Sequence, residues 1–283
     1  MKCVILMATL AGMSRTQSIT SASNPLLREV RRAITRGERT AGGLCVAEGL
    51  HLLEEALRSG CDVPVVLAAE SVRDTVERRV AGLPGAKIIA LPDALFQSIA
   101  TTETSQGLIA LVRPPEWSLE RIFSGASLVV VLDGLQDPGN VGAIVRAAEA
   151  FGATGMLFTK GTASPWNPKT LRASAGSLFR VPFIAGLDAA LARATLLRHR
   201  VAIYAAMPYT GTQKLAGATD FVRPCAIVTG SEGRGVGKEL HGIAEEVAIP
   251  TTGVESLNAA VATSVLLYES RRQRQSAEMA ERL

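Results

Sequence analysis

Aromatic residues make up only 4% of this 283-residue chain. Ala, Val, Leu and Gly dominate instead, which favours tight α/β packing over an aromatic-rich all-β fold. Cysteine is also sparse. Cys3, Cys45, Cys61 and Cys225 stand far apart, with no C-x-x-C pair and no Cys/His cluster. That excludes a zinc-finger pattern and a disulfide framework and suits a reducing cytoplasm. The three histidines, His51, His199 and His241, are scattered. A histidine-centred triad and a metal site are therefore not expected. No run reaches the roughly 18 apolar residues of a membrane span. The opening MKCVILMATLAGM has one Lys followed by about ten apolar residues, similar to the core of a secretory signal. Met13 begins an ordinary cytoplasmic-looking start, MSRTQSITSASNPLLREVRR. We therefore expect residues 1–20 to be an extension, disordered or upstream of the true start.

What is present is ample apolar material, 47% of the chain against 20% charged. The length suits about two domains at roughly 150 residues each. A net charge of +4 and a pI near 9.0 permit an acidic partner such as nucleic acid without requiring one.

The chain divides into two parts. Residues 21–115 read as a small α/β module that opens on a basic amphipathic helix, NPLLREVRRAITRGERT. Residues 116–127, after a Pro pair, read as a linker. From LVVVLDGL at residue 128 to residue 283, strands and helices alternate. The strands are GMLFT, FRVPFI, RVAIYAAM, CAIVTG and EVAIP, and the pattern implies a parallel sheet covered on both faces.

The loop in LDGLQDPGNVGAIVRAAEAFGA, Leu132–Ala153, first suggests a phosphate cradle. The glycines fall at Gly134, Gly139 and Gly142, which is not the G-x-G-x-x-G spacing, and no P-loop Lys follows. What remains is Asn140 at a helix start, expected as its N-cap, and Arg146 among apolar neighbours, placed to reach a substrate or partner. A second cluster, IVTGSEGRGVGKEL, runs from a strand straight into a glycine-rich loop holding Gly230, Glu232 and Gly233. Open α/β sheets bind ligands at this edge. In a third, IPTTGVESLNAAVA, Ile249 ends a strand. Ser256, Leu257 and Asn258 open an Ala-rich helix, with Ser256 expected as its cap.

In this order the three clusters resemble the SpoU–TrmH family of RNA 2′-O-ribose methyltransferases. NPLLREVRR, VAEGLHLLEEAL and ETSQGLIALV upstream are similar to its substrate-binding domain. The resemblance implies a trefoil-knotted parallel-sheet methyltransferase domain behind a small α/β RNA-binding domain. It implies S-adenosyl-L-methionine as cofactor, held by Gly230, Gly233, Ile249, Leu257 and Asn258. It implies Asn140, Arg146, Glu232, Ser256 and Asn258 as catalytic positions, a homodimer and no membrane. By charge, Arg28, Arg31, Arg32 and Arg36 on the first helix are the expected RNA contacts. Arg271, Arg272 and Arg274 read equally as a frayed tail.

The expected activity is methylation of ribose 2′-hydroxyls in RNA, with large-subunit ribosomal RNA favoured by the two-domain layout. A tRNA methyltransferase of the same family and a catalytically silent RNA-binding protein are the alternatives. A nucleotide-dependent oxidoreductase is argued against by the glycine spacing.

Overall fold

A computed structural model describes residues 17–80 and 85–280. The proposed extension therefore lies almost wholly outside the described residues.

The first module contains β1 (Gln17–Ser18), α1 (Pro25–Arg36), β2 (Cys45–Glu48), α2 (Leu50–Arg58), β3 (Asp62–Ala69), α3 (Arg73–Val80), β4 (Lys87–Leu91), α4 (Asp93–Gln97) and β5 (Leu108–Arg113). Its five strands form a mixed sheet in the order β1-β4-β3-β5-β2. β1 pairs in parallel with Ile89 and Ala90, so the end of the expected extension belongs to the sheet. Asn24 caps α1 through the amide N–H of Leu26, with Pro25 in the first turn, as the Asn-Pro entry predicts. Leu27, Val30 and Ala33 bury one face of α1 and leave its arginines on the other.

The second module contains α5 (Leu119–Ile122), β6 (Leu128–Asp133), α6 (Pro138–Ala150), β7 (Gly155–Thr159), α7 (Pro168–Ser174), β8 (Phe183–Leu187), α8 (Ala189–Arg198), β9 (Ala202–Met207), β10 (Lys214–Leu215), β11 (Cys225–Gly230), α9 (Lys238–His241), β12 (Glu245–Ala248) and α10 (Ala259–Ala280). Seven strands form one all-parallel sheet, β10-β12-β9-β11-β6-β7-β8. Its central strands are buried on both faces; β6 and β11 are apolar almost throughout, as the LVVVLDGL run requires. One core layer, with Val141, Ile144 and Leu266, lies under α6 and α10. The other, with Val129, Leu196 and Leu240, lies under α8 and α9.

Several local expectations change. The segment expected as a linker carries α5, and Ile122 is fully buried against the second module. FRVPFI is not one strand: Ser177–Phe179 form a short 3-10 turn and β8 starts at Phe183. The C-terminal arginines are not a frayed tail, because α10 continues to Ala280. Arg274 donates to the carbonyls of Phe221, Ala126, Ser127 and Arg223, so it holds the helix against the loops that precede β6 and β11. Arg272 is paired with Glu269 at 2.7 Å.

One cluster of buried apolar residues, including Leu52 and Ala56 of α2 with Leu171 and Phe179, spans the two modules, and polar contacts add to it. Arg180 reaches Glu55 of α2 at 2.7 Å and Glu149 of α6 at 2.5 Å. Arg172 of α7 donates to the hydroxyl of Thr101 at 2.5 Å. That hydroxyl in turn serves Glu48, a buried carboxylate that also accepts from Thr102 and Ser105.

Candidate active site

The site lies at the carboxyl edge of the parallel sheet, where β6, β9, β11 and β12 all end. Asp133, the last residue of β6, organises it. Its carboxylate accepts from Thr159 Oγ1 at 2.8 Å and from the backbone N–H of Gly237 at 2.7 Å. The second bond ties the loop after β11 to the neighbouring strand. Ser231 and Gly235 close that loop on itself through two backbone hydrogen bonds, at 3.1 and 2.8 Å. Gly230 permits the closure: a Cβ there would lie 2.0 Å from the carbonyl carbon of Gly235.

Asp137, not Asn140, caps α6. Its Oδ1 accepts from the Asn140 N–H at 2.8 Å, with Pro138 in the first turn. Bonds from the Asn140 N–H and the Lys169 ammonium hold the Asp137 carboxyl below its ordinary value. The Asn140 side chain is thereby free for other partners. Its Nδ2 donates to Glu232 Oε1 at 2.5 Å, and its Oδ1 accepts from Asn258 Nδ2 at 3.1 Å. Residues from the three sequence clusters thus meet in one hydrogen-bonded line, Glu232–Asn140–Asn258. Asn258 also caps α10, accepting from Ala260 N–H at 2.9 Å. The cap is therefore Asn258 rather than Ser256. Ser256 lies exposed on the cavity wall.

Arg146 does not join this line. It lies six residues further along α6, about 9 Å up the axis and roughly a third of a turn away from Asn140. Its side chain is exposed and forms no hydrogen bond or ion pair with any described residue. On the first module, Arg28, Arg32 and Arg36 are exposed, whereas Arg31 is engaged by the Ala22 carbonyl at 2.8 Å and Ser98 Oγ at 3.0 Å.

Beside the Glu232–Asn140–Asn258 line is a cavity of about 520 Å³, within the range of roughly 300–1,000 Å³ typical of cofactor sites. Gly230, Gly233, Ile249, Leu257 and Asn258 all line it, as expected from the sequence. Met207, Tyr209, Glu255 and Leu266 line it too and were not anticipated. Met207 ends β9, and a strand end at this edge was the available signal. The walls are mainly apolar, with the Glu232 and Glu255 carboxylates at the edge. Such a lining accepts a flat heteroaromatic group and favours a nearby positive charge. These residues fit S-adenosylmethionine, whose sulfonium is cationic.

The family comparisons agree with this geometry. Residues 127–268 match the model of the SpoU rRNA methylase family, and residues 24–110 match an MRM3-like substrate-binding domain. The chain is 31% identical to the 23S rRNA (guanosine(2553)-2′-O)-methyltransferase RlmP of Bacillus subtilis, over 90% of this chain and 99% of that protein. It is 33% identical to an uncharacterized tRNA/rRNA methyltransferase of Synechocystis sp., over 92% and 95% respectively. Among solved structures, the SpoU methyltransferase AviRb of Streptomyces viridochromogenes, in complex with AdoMet, superposes with a TM-score of 0.80. The identity is 26%, covering 89% of this chain and 99% of that one. The chain belongs to the SpoU rRNA methylase family.

Proposed function

We propose that the protein methylates a ribose 2′-hydroxyl in large-subunit ribosomal RNA, with S-adenosylmethionine as methyl donor. The observation that carries this reading is the Glu232–Asn140–Asn258 line beside a cofactor-sized cavity, which Glu232 and Asn258 also line. The 23S rRNA activity of the Bacillus subtilis relative supports the choice of substrate.

The bound cofactor supplies an electrophilic methyl group. The chain's residues do the rest by positioning, which is worth several kcal/mol when reacting atoms are held in line. Gly230, Gly233, Ile249 and Leu257 shape the cavity, while Asn140 and Asn258 fix the Glu232 carboxylate at its edge. Ser256 stands at the entrance, where an incoming ribose would pass. A guanidinium is a poor base, so Arg146 acts by holding the RNA phosphate and stabilising charge that develops on the attacking oxygen. Phosphate or water then takes the proton. Arg28, Arg32 and Arg36 supply sequence-independent phosphate contacts.

We infer that Arg146 serves the partner's site in a homodimer, because in its own chain it stands apart from the Glu232–Asn140–Asn258 line and is not among the residues lining the cavity. Val261, Val265 and Tyr268 form an apolar stripe along α10, 38–56% exposed, beside α6, where Phe151 meets Tyr268 edge to face at 5.8 Å. A second copy laid on this stripe covers it and carries Arg146 across. Among the described residues no helix is long and apolar enough to cross a membrane, and a cytoplasmic setting is part of the proposal.

The test is methyl incorporation from labelled S-adenosylmethionine into separate unmodified pools of ribosomal RNA and tRNA. Incorporation into 23S rRNA supports the reading. Incorporation into tRNA alone overturns the substrate, and incorporation into neither overturns the function.

A further inference from the structure

Between the basic helix and the active site lies a junction whose chemistry the reaction does not use. α1 ends at Gly37, where it abuts Asn167, the N-cap of α7. Two residues on, the Arg39 guanidinium carbon lies over the Trp166 ring, 5.5 Å from its centroid. Trp166 is a firm base for it: the ring packs 5.5 Å from Phe183, and its backbone N–H is held by Ser164 Oγ at 3.1 Å. Arg39 is exposed and forms no ion pair with any described residue. Three residues beyond Trp166, Lys169 projects toward α6 with its side chain 58% exposed. Its ammonium sits 3.0 Å from Asp137, the residue that caps α6 and holds the Asn140 N–H. Glu29, Glu38 and Asp137 are acids near this junction; Glu29 accepts from the Ala41 N–H at 2.6 Å, and Asp137 engages Lys169.

An arginine anchored over a tryptophan ring by a cation–π contact presents a planar guanidinium on which a base can stack. RNA proteins use such planes for unpaired bases. An exposed lysine within three residues of the tryptophan supplies a phosphate contact. We propose that Arg39, backed by Trp166, and Lys169 form a subsite for one unpaired nucleotide flanking the methylated position. The base stacks on Arg39 and its phosphate meets Lys169, exchanging the Asp137 contact for a phosphate oxygen. The subsite rests on the methyltransferase reading and adds to it a preference for single-stranded RNA at the junction of the two modules.

The experiment measures binding of a short labelled single-stranded RNA and of an unmodified 23S transcript at several salt concentrations, with cofactor affinity measured separately. Arg39→Lys keeps the charge and loses the plane. It is expected to bind both RNAs about tenfold more weakly, the scale of one lost stacking contact, with an unchanged salt slope. Trp166→Phe keeps a ring beneath Arg39 and is expected to bind within a few-fold of wild type. Lys169→Gln is expected to reduce the slope of log affinity against log salt by about 0.7, one contact on a single strand. Cofactor affinity should not move in any variant. Wild-type RNA affinity in Arg39→Lys, or an unchanged slope in Lys169→Gln, overturns the subsite while leaving methylation intact. A wild-type protein that methylates no RNA pool defeats the methyltransferase reading and the subsite with it.

Discussion

The Asn140 side-chain amide donates to Glu232 across 2.5 Å, although the two residues are 92 positions apart in the chain. The contact exists because Asp137 takes over the capping of α6 and leaves the Asn140 side chain free. Removing it should leave the Glu232 carboxylate unrestrained. Asn140→Ala is expected to lower single-turnover methylation about a hundredfold, the scale of one lost positioned donor, with cofactor affinity within a few-fold of wild type. Equal losses in turnover and cofactor affinity would instead assign Asn140 to cofactor binding.

Arg146 gives a prediction about assembly. If its guanidinium serves the partner's site, Arg146→Ala and Glu232→Gln are each nearly inactive as homodimers, yet complement each other. Random mixing in a two-fold dimer leaves roughly a quarter of sites with both residues intact. Recovery of about that fraction of activity after unfolding and refolding the mixture is expected. Absence of recovery, with mixed dimers verified by mass, would place Arg146 in its own chain's site.

Much of this site was legible in the sequence because the residues that form it sit in glycine- and asparagine-punctuated loops after apolar strands. Gly230, Ile249, Leu257 and Asn258 are all found on the cavity wall. The caps differ from the expected ones although Asn140 and Ser256 are good caps by type. Asp137-Pro138 and Asn258 hold the actual positions, and the loop geometry decides between them. Asp133 carries no sequence signal beyond its place at the end of the LVVVLD run. Its role emerges only when β6 lies beside β11 and brings Gly237 within 2.7 Å. The polar end of α10 carries little apolar periodicity, so nothing local announced that Arg274 would satisfy carbonyls some 50 and 150 positions earlier.

Glu48 makes stability depend on pH. Burial raises its pKa, but hydrogen bonds from Ser105, Thr101 and Thr102 outweigh burial and hold it below the ordinary 4.5. A carboxyl depressed in the folded state contributes its full stability above the unfolded value. That stability is lost as pH falls through the folded value. Wild type should therefore lose stability from about pH 5 downward through this group. Glu48→Gln should be about 1–3 kcal/mol less stable at pH 7, with a shallower acid limb. Chemical denaturation at pH 7 and pH 4 measures both, and an identical pH dependence in the variant would contradict it.

Arg180 couples the modules. Arg180→Leu removes one of the two cations at Glu55, only 7% exposed, leaving Arg58 at 2.6 Å, and takes the partner from Glu149. The Arg180 side chain is 34% exposed, so water softens the loss. A cost of about 1–3 kcal/mol is expected, below that of a fully buried pair. With Glu55→Gln added, the two costs should be less than additive, because both single changes remove the same contact. A double-mutant cycle with no coupling would show that the Arg180–Glu55 contact adds nothing to the shared apolar cluster.

Alkaline hydrolysis tests most directly whether the methyl group goes to ribose. Unmodified 23S rRNA methylated with labelled cofactor should yield label in alkali-resistant dinucleotides, because a 2′-O-methyl group blocks cleavage of the adjacent phosphodiester. The label should map to one nucleotide and be lost in Arg146→Ala. Label recovered only in mononucleotides after alkaline hydrolysis would place the methyl on a base and rule out ribose methylation.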